Sequence, residues 1–378
     1  GDADKESVKL IFMPPEPSMP PEPSMPPEPS MPPEPSISSV PTNHTSGKPY
    51  VLICPGGAYA RQWGLIEGLA MGARMNRLGY PAFVLYYRTA QNPPFDRPLM
   101  PKPIEDLAAA IRLIEDRAEG FGVRAGDYAV AGFSAGAHLA AEWGTVNHGF
   151  AGYGLKGPAA LLLGYPSIST DLFLDMAEEA GRNKQEADVS YLKRLGGSSF
   201  TRESLREYSI DYHMDRNYPP VYVTACKDDP IVPVGCSFCL IERLKELGIP
   251  VLIVYPESQE LLEEMLTLIG KACGAQEKAE SLLQYYDEAE KELAGYGEAG
   301  TGTKVYMAGV SSYLKTAPEG MYQAEMIHKA GGENAAGDMS GDAWLELSYE
   351  DILAMNPEVI IIPASAEYGR EDVLGDIN

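Results

Sequence analysis

The sequence predicts an α/β fold with a mostly parallel sheet, followed by a smaller segment of different character. Six short apolar runs alternate with amphipathic stretches between residues 49 and 257, as expected for buried parallel strands joined by helices. A glycine-rich turn and a Gly-x-Ser-x-Gly turn each follow one of these runs. The charge then shifts: residues 1–257 carry 31 acidic and 23 basic side chains, whereas residues 258–378 carry 23 and 7. Such a change indicates two segments of different origin.

Composition excludes several classes of protein. No apolar run approaches the roughly eighteen residues of a transmembrane helix, so no membrane span is expected. The net charge of −24 argues against nucleic acid or an anionic membrane as a partner. Five cysteines in 378 residues exclude a disulfide scaffold. No cysteine, histidine or carboxylate cluster has zinc spacing, and we expect neither a metal nor a cofactor.

The N-terminal arm, residues 1–48, is dominated by a proline repeat. The hexapeptide Met-Pro-Pro-Glu-Pro-Ser occurs four times in register, starting at Met13, Met19, Met25 and Met31. Proline fixes φ and lacks an amide donor, so we expect extended polyproline II. The repeat can be a spacer, a ligand for a proline-binding module, or a low-complexity insertion without a partner. The run Val8–Phe12 before it can form a first strand.

The central segment, residues 49–257, holds the six predicted strands. They are Tyr50–Cys54, Ala82–Tyr87, Tyr128–Phe133, Ala160–Tyr165, Val221–Ala225 and Val251–Tyr255. Two apolar stripes between them predict helices: one runs from Ile104 to Ile114, and one from Phe238 to Leu247, closed by Gly248. Strands that alternate with helices in this way build a layered α/β fold with right-handed crossovers.

The pentapeptide Gly132-Phe133-Ser134-Ala135-Gly136 has the pattern of a nucleophile elbow. An apolar strand leads into it and an alanine-rich helix, Ala135–Trp143, leads out. A strained turn at this point exposes the serine hydroxyl above the sheet edge, and flanking glycines let the backbone turn without a Cβ clash. Ser134 is therefore the candidate nucleophile. The alternative is a tight strand-to-helix turn without chemistry.

A second glycine-rich turn, Cys54–Tyr59, directly follows a predicted strand. Backbone N–H groups in such a turn can point at a developing oxyanion. We expect Gly57 and Ala58 to supply two donors and Ala135 a third. The alternative is an ordinary glycine turn.

The third element follows the fifth predicted strand, in the run Lys227–Pro233. An acid at that strand end can orient a catalytic imidazole. Asp229, directly before a proline, is the first choice for this role. Asp228 is the alternative, and a helix-entry aspartate without a catalytic role also stays open.

Together these elements resemble the α/β-hydrolase family, specifically its small acyl and carbohydrate esterase branch. The resemblance is carried by Cys54–Tyr59, Pro103–Ala110, Gly132–Ala140 and Asp229–Val234. It covers a little over half of the chain. It implies a serine hydrolase that acts on a small ester, often an acetyl group on a sugar.

One element of this resemblance is missing. The family places its catalytic histidine in the loop after the last strand, but here Val251–Tyr255 is followed by Pro256-Glu257-Ser258-Gln259-Glu260. The histidines of the chain are His44, His138, His148, His213 and His328. His138, one helical turn beyond Ser134, is expected to pack inside or to form an internal hydrogen bond. Without a base a serine hydroxyl is a poor nucleophile, so we expect weak or absent activity.

Residues 259–378, within the C-terminal segment 258–378, resemble part of the substrate-binding protein of an ABC importer for iron-siderophores, haem or cobalamin. The resemblance is carried by Tyr285–Ala289, Lys304–Gly309, Met321–Ala336 and Trp344–Ile362. It implies that Trp344 faces the ligand cleft and that Glu350 lies on the surface that docks to the permease. The alternatives are core packing for Trp344 and a solvated acid at a helix start for Glu350. This resemblance favours an extracytoplasmic location.

The pattern predicts the elements of the C-terminal segment. They are a long helix over residues 259–294 interrupted at Gly270 and Gly274, buried strands at Lys304–Ala308 and Val359–Ile362, a helix at Met321–Ala330, and a capping box at Ser348–Asp351. Gly295–Gly302 is expected to be a hinge.

The second resemblance is also partial, because the pattern of the first lobe and of the closing strands of the second is not found. We interpret the chain as a join near Glu257–Gln259 between an esterase that lacks its histidine loop and part of an importer subunit, as in a chimera. Three functions stay open: a serine esterase with an incomplete triad, the binding component of an importer, and a non-catalytic scaffold.

Overall fold

The chain divides into two compact units, Gly1–Val251 and Leu252–Asn378. The computed structural model describes residues 8–15, 47–91, 95–183, 189–227, 229, 231–254, 258–297, 302–341, 344–363, 366, 368–369 and 373. Most of the proline repeat, His44, Asp228 and Tyr255–Glu257 lie outside these residues. The domain boundaries 1–48, 49–257 and 258–378 stay a prediction.

The first unit is built on a mostly parallel sheet. Its strands are β1 (Lys9–Met13), β2 (Lys48–Cys54), β3 (Ala82–Tyr86), β4 (Val123–Phe133), β5 (Ala160–Gly164) and β6 (Val221–Thr224). Its helices are α1 (Ala70–Arg77), α2 (Lys102–Asp116), α3 (Ala118–Phe121), α4 (Ala135–Glu142), α5 (Thr170–Arg182), α6 (Ser190–Gly196), α7 (Arg202–Arg206) and α8 (Gly235–Glu246). The strand order is β1-β3-β2-β4-β5-β6, and only β1 pairs antiparallel.

Both faces of this sheet are covered. Leu52 and Phe83 belong to a large apolar cluster that also takes residues from α2, α4 and α8. Ile53 and Val84, their chain neighbours, belong to a smaller cluster into which Met71 of α1 packs. Because successive side chains of a strand point to opposite faces, the two clusters lie on opposite sides of the sheet. The predicted α/β-hydrolase-like layering with helices on both faces is confirmed.

One predicted strand of the central segment is wrong. Residues 251–254 form no strand, and Leu252 and Ile253 are 48% and 55% exposed. The neighbour that such a strand would need is β6, which is four residues long and leaves Tyr222 61% exposed. An apolar run forms a strand only where a neighbour supplies hydrogen bonds and a layer covers it. The other five predicted strands are confirmed, as is the one at Val8–Phe12.

The helical stripe predicted from Phe238 to Leu247 needs one correction. Helix α8 forms there, and Ile241 and Leu244 are buried as expected. Phe238, however, is exposed. The buried face of α8 instead continues through Cys236 and Leu240.

The second unit contains short elements. Its helices are α9 (Gln259–Ala272), α10 (Gln276–Gly297), α11 (Tyr322–Lys329) and α12 (Tyr349–Met355). Its strands are β7 (Lys304–Met307), β8 (Lys315–Thr316), β9 (Glu333–Asn334), β10 (Leu345–Glu346) and β11 (Val359–Ile361). The order β11-β7-β9 forms one small parallel sheet, and β10 pairs with β8.

Two expectations for the second unit are corrected. The predicted interruption of the long helix at Gly274 is confirmed, because α9 and α10 separate there and Gly274 has a φ of 66°. The predicted interruption at Gly270 is wrong. Gly270 lies inside α9 and does not interrupt it. A Cβ on Gly270 would lie 2.5 Å from the Cβ of Ala279, so the glycine allows α9 and α10 to pack closely. Strand β11 is not buried, since Val359 and Ile361 are exposed and only Ile360 packs against the cluster around Tyr306.

Within the described ranges, no helix is both long enough and apolar enough to cross a membrane.

Candidate active site

Ser134 lies at the turn between β4 and α4, as predicted. Its φ of 50° and ψ of −118° place it in a region that non-glycine residues rarely adopt and that is common at functional sites. The N–H of Ser134 donates to the carbonyl of Gly164 at the end of β5, at 2.9 Å. The side chain is half-buried, and among the described residues no hydrogen bond is recorded for its Oγ.

Two glycines around Ser134 are required by close backbone contacts. A Cβ on Gly132 would lie 2.2 Å from the carbonyl oxygen of Gly136. A Cβ on Gly136 would lie 2.0 Å from the carbonyl oxygen of Cys54, the last residue of β2. The first turn of α4 therefore packs directly against the end of β2.

The turn after β2 directs its carbonyl groups inward and its N–H groups outward. The carbonyl of Gly56 accepts the N–H of Trp63 at 3.0 Å, and that of Gly57 accepts the N–H of Ala60 at 2.9 Å. The N–H and C=O groups of a trans peptide point in opposite directions. The N–H groups of Gly57 and Ala58 therefore point away from the turn, and no acceptor for them is recorded in the described part of the chain.

This turn lies beside the candidate nucleophile. A Cβ on Gly56 would lie 3.0 Å from the Cβ of Ser134 and 2.5 Å from the carbonyl oxygen of Phe133. Ala135 opens α4, and the described residues again supply no recorded acceptor for its N–H. Ser134 and the predicted donors Gly57, Ala58 and Ala135 thus share one edge of the sheet.

Asp229 follows β6 and is half-buried. Its Oδ1 accepts the N–H groups of Ile231 and Val232 at 2.8 and 2.9 Å. Burial, Glu67 and Asp229 together raise the pKa of the Tyr165 phenol. The choice between Asp229 and Asp228 stays open, because Asp228 lies outside the described residues.

His138 is not placed as a base for Ser134. Its ring is fully buried, with Nδ1 2.8 Å from Tyr59 Oη and Nε2 2.7 Å from the carbonyl oxygen of Tyr208. Because a carbonyl only accepts, Nε2 carries the proton and Nδ1 accepts the Tyr59 hydroxyl. Burial lowers the pKa of His138 to about 4, against the opposing effect of the Tyr208 carbonyl. The imidazole is neutral and has both nitrogens occupied.

The other described histidines also bond elsewhere. Nε2 of His148 lies 2.9 Å from Glu207 Oε1, and Nε2 of His213 donates to the carbonyl of Arg206 at 2.8 Å. His328 belongs to the second unit. In the described part of the first unit, no imidazole is hydrogen bonded to Ser134.

Sequence reasoning missed Glu67, which lies in a π-helical turn, Gly64–Leu69. Its Oε2 accepts the N–H of Gly56 at 2.5 Å, and its Oε1 accepts the hydroxyl of Tyr165 at 2.9 Å. A signal was present, because Glu67 is the only charged residue between Trp63 and Ala73. A lone acid in an apolar run requires a polar partner in the fold.

The two site residues expected in the second unit, Trp344 and Glu350, differ in their exposure to solvent. Trp344 is half-buried directly before β10, and Glu350 is exposed in the first turn of α12. The predicted capping box is present: Ser348 and Asp351 bond each other's backbone N–H. The second unit contains a cavity of about 190 Å³. Neither Trp344 nor Glu350 lines this cavity.

No group of three or more histidine, cysteine or acidic side chains among the described residues is placed to hold a metal ion.

Residues 39–244 match the BD-FAE family, which is more than half of the chain. The chain belongs to the BD-FAE family. Over 206 residues it is 31% identical to endo-1,4-beta-xylanase B of Butyrivibrio fibrisolvens, covering 53% of this chain and 30% of that protein. Over 196 residues it is 28% identical to the acetylxylan esterase of Xylanibacter ruminicola, covering 50% of this chain and 35% of that protein. The chain thus spans about a third of the length of these relatives.

The chain is also similar to a solved structure, the acetyl ester-xyloside bifunctional hydrolase of Caldicellulosiruptor lactoaceticus. The identity is 25% and the TM-score 0.45, over 64% of this chain and 85% of that one. Family membership places the domain among hydrolases similar to carbohydrate and acetyl esterases.

The second match overlaps the end of the BD-FAE domain. Residues 239–376 match the periplasmic binding protein family. Over 130 residues the chain is 29% identical to the vitamin B12-binding protein of Salmonella choleraesuis, covering 33% of this chain and 47% of that protein. Both resemblances expected from the sequence are confirmed, because the chain matches the models of two unlike families over largely different ranges.

Gly136→Ala is expected to destabilise the first unit by about 1–3 kcal/mol, because the added Cβ overlaps the carbonyl oxygen of Cys54. Urea unfolding can be followed by the fluorescence of the fully buried Trp143. Gly152→Ala is the matched control, since a Cβ there meets nothing within 4 Å. Equal unfolding midpoints for the two variants would contradict the contact between α4 and β2.

His138 is expected to make the first unit sensitive to acid. The unfolded chain binds this proton near pH 6.5 and the folded chain only near pH 4. Between these values the unfolded state binds more protons, so the free energy of unfolding falls by about 3 kcal/mol as the pH drops. Burial raises the pKa of Glu142, which contributes a slope of the opposite sign.

The His138 contribution is therefore measured as the difference between the parent and His138→Gln in urea unfolding across this pH window. Identical slopes for the parent and His138→Gln would show that His138 is not held neutral by burial.

Proposed function

We propose that the BD-FAE domain is a serine ester hydrolase. Ser134 is the nucleophile, Asp229 is the acid of the triad, and the N–H groups of Gly57, Ala58 and Ala135 form the oxyanion hole. The observation that carries this proposal is the strained backbone of Ser134 beside a turn whose N–H groups have no recorded acceptor in the described part of the chain. The similarity to an acetylxylan esterase supports a carboxylic or acetyl ester of a carbohydrate as the substrate.

The chemistry follows from these positions. The Ser134 hydroxyl attacks the ester carbonyl and loses its proton to solvent water, because no described imidazole of the first unit is placed to accept it. The carbonyl oxygen becomes negatively charged against the N–H groups of Gly57, Ala58 and Ala135. Each such donor is worth roughly 3 kcal/mol of transition-state stabilisation. The positive end of the α4 dipole adds to it at Ala135. Collapse of the intermediate breaks the ester C–O bond and expels an alkoxide, which takes a proton from solvent water. A water molecule then attacks the acyl-serine carbonyl, and cleavage of the acyl–Oγ bond releases the acid and restores the Ser134 hydroxyl.

The triad is incomplete in this proposal. Ser134 needs a neutral imidazole within about 3 Å to accept its proton. The described imidazoles of the first unit bond elsewhere, and residues 251–254 do not form the strand that leads to the histidine loop in the family. An oxyanion hole and binding alone leave about 10³–10⁴ of rate enhancement over water. We therefore infer weak turnover.

The purified chain is expected to hydrolyse 4-nitrophenyl acetate several orders of magnitude more slowly than an ordinary kcat of about 10 s⁻¹. Ser134→Ala should change this rate little, because a hydroxyl without a base contributes little as a nucleophile. The measurement is nitrophenolate release with the buffer rate subtracted. A rate near 10 s⁻¹ that vanishes in Ser134→Ala would show that a histidine completes the triad, from this chain or a second copy.

A second candidate function concerns the C-terminal segment. The match to periplasmic binding proteins supports a role as the binding component of an ABC importer, in an extracytoplasmic location. In that role Trp344 contacts the ligand and the exposed Glu350 contacts the permease. Titration with cyanocobalamin, haem or a ferric siderophore tests it: binding that Trp344→Ala weakens supports this role. Absence of binding, together with absent esterase turnover, leaves the scaffold function.

A further inference from the structure

The peptide between Pro55 and Gly56 is held at both of its polar atoms. The carbonyl of Pro55 accepts the hydroxyl of the buried Tyr87 at 2.5 Å. The N–H of Gly56 donates to Oε2 of Glu67, also at 2.5 Å. The next peptide carries the N–H of Gly57. The orientation of the Pro55-Gly56 peptide therefore influences the direction of this N–H, the first of the proposed oxyanion donors.

Glu67 reaches this peptide because its turn packs unusually close to the sheet. A Cβ on Gly64 would lie 1.8 Å from Tyr86 Oη. A Cβ on Gly68 would lie 2.7 Å from Val84 Cγ1 and 3.1 Å from Pro55 Cγ. The two glycines therefore let the turn lie against β3 and Pro55. Glu67 lies between Gly64 and Gly68 in the sequence.

The second oxygen of Glu67 connects this turn to the nucleophile elbow. Oε1 accepts the hydroxyl of Tyr165, whose φ of 37° is also in the left-handed region. Tyr165 follows Gly164, and the carbonyl of Gly164 accepts the N–H of Ser134. A single carboxylate thus links the turn that carries the donors to the strand end that supports Ser134.

The carboxylate of Glu67 is bonded to neutral donors. No ion pair is recorded for it among the described residues. A hydrogen bond from an N–H to a carboxylate is about twice as strong as one to a neutral acceptor. The charge therefore serves to fix the N–H of Gly56 and the hydroxyl of Tyr165 in one arrangement.

We propose that Glu67 is the positioning residue of the oxyanion turn: its carboxylate clamps the N–H of Gly56 and the hydroxyl of Tyr165, and so presets the Gly57 and Ala58 N–H groups against Ser134. Glu67 does not touch the substrate. The inference rests on the proposed esterase function, but it does not depend on a complete triad, because oxyanion stabilisation contributes without one.

The clamp can be observed directly by NMR. Pro55-Gly56 is the only Pro-Gly pair in the 378 residues, so proline labelled with ¹³C at the carbonyl and glycine labelled with ¹⁵N give one correlation, that of Gly56. Its amide proton should resonate far downfield in the parent and move upfield in Glu67→Gln, which keeps the shape but removes the charge. Glu105→Gln, at an exposed glutamate paired with Arg88, should leave it unchanged. An identical Gly56 resonance in the parent and Glu67→Gln overturns the proposal.

Kinetics provide the second readout, with 4-nitrophenyl acetate as the probe. Glu67→Gln should lower kcat by about tenfold or more, as expected for misplaced oxyanion donors, and leave KM unchanged. Glu105→Gln should retain the parent kcat. An unchanged kcat in Glu67→Gln, or an equal loss in Glu105→Gln, counts against the clamp.

A third variant covers the case in which Glu67→Gln does not fold. Tyr165→Phe keeps the charge of Glu67 and frees only its Oε1, so it should shift the Gly56 resonance by a smaller amount and lower kcat less. No shift and no kinetic change in Tyr165→Phe would overturn the link to the elbow. A complete triad, which would contradict the proposed function, gives a different result: the parent rate is fast and Ser134→Ala abolishes it. The effect of Glu67→Gln on the Gly56 resonance would then still be observed.

Discussion

The contact between the first turn of α4 and the end of β2 is the constraint on which the candidate site depends. Gly136 lies so close to the carbonyl of Cys54 that no side chain fits between them. This approach brings the start of a helix and the end of a strand to the same point of the sheet edge. It holds Ser134 in its strained conformation and places the turn at Gly56 beside it. Backbone strain of this kind persists only where surrounding contacts over-determine it.

Helix α4 combines this functional end with a buried, polar interior. His138 and Glu142 are four residues apart in α4, which places them on one side of the helix. His138 is neutral and bonded at both nitrogens, and the Glu142 carboxyl, fully buried, has no recorded partner among the described residues. Burial holds the pKa of Glu142 well above its usual range, so the acid is neutral too. These groups serve the interior of the domain, which is why a histidine so near the serine in sequence is not its base.

The parts of the candidate site depend on different strands of the sheet. The oxyanion turn, the elbow and Glu67 depend on β2, β3, β4 and β5, all of which form. The histidine loop that the family resemblance implies would follow a later strand, and residues 251–254 do not form one. The second unit, with its partly exposed strand β11, is periplasmic-binding-protein-like.

What the sequence by itself determined are the features that depend on neighbours in the chain: five of the strands in the central segment, the elbow at Ser134, the turn at Gly57, and the capping box at Ser348. Local periodicity, glycine placement and capping chemistry are sufficient for these. Only the tertiary structure decided that the run Val251–Tyr255 is not a strand over its described residues, that His138 is sealed by Tyr59 and Tyr208, and that Glu67 bonds Gly56 and Tyr165. The physical reason is the same in each case. A strand needs a partner's hydrogen bonds, a pKa depends on burial, and a carboxylate's role depends on which donors the fold brings to it.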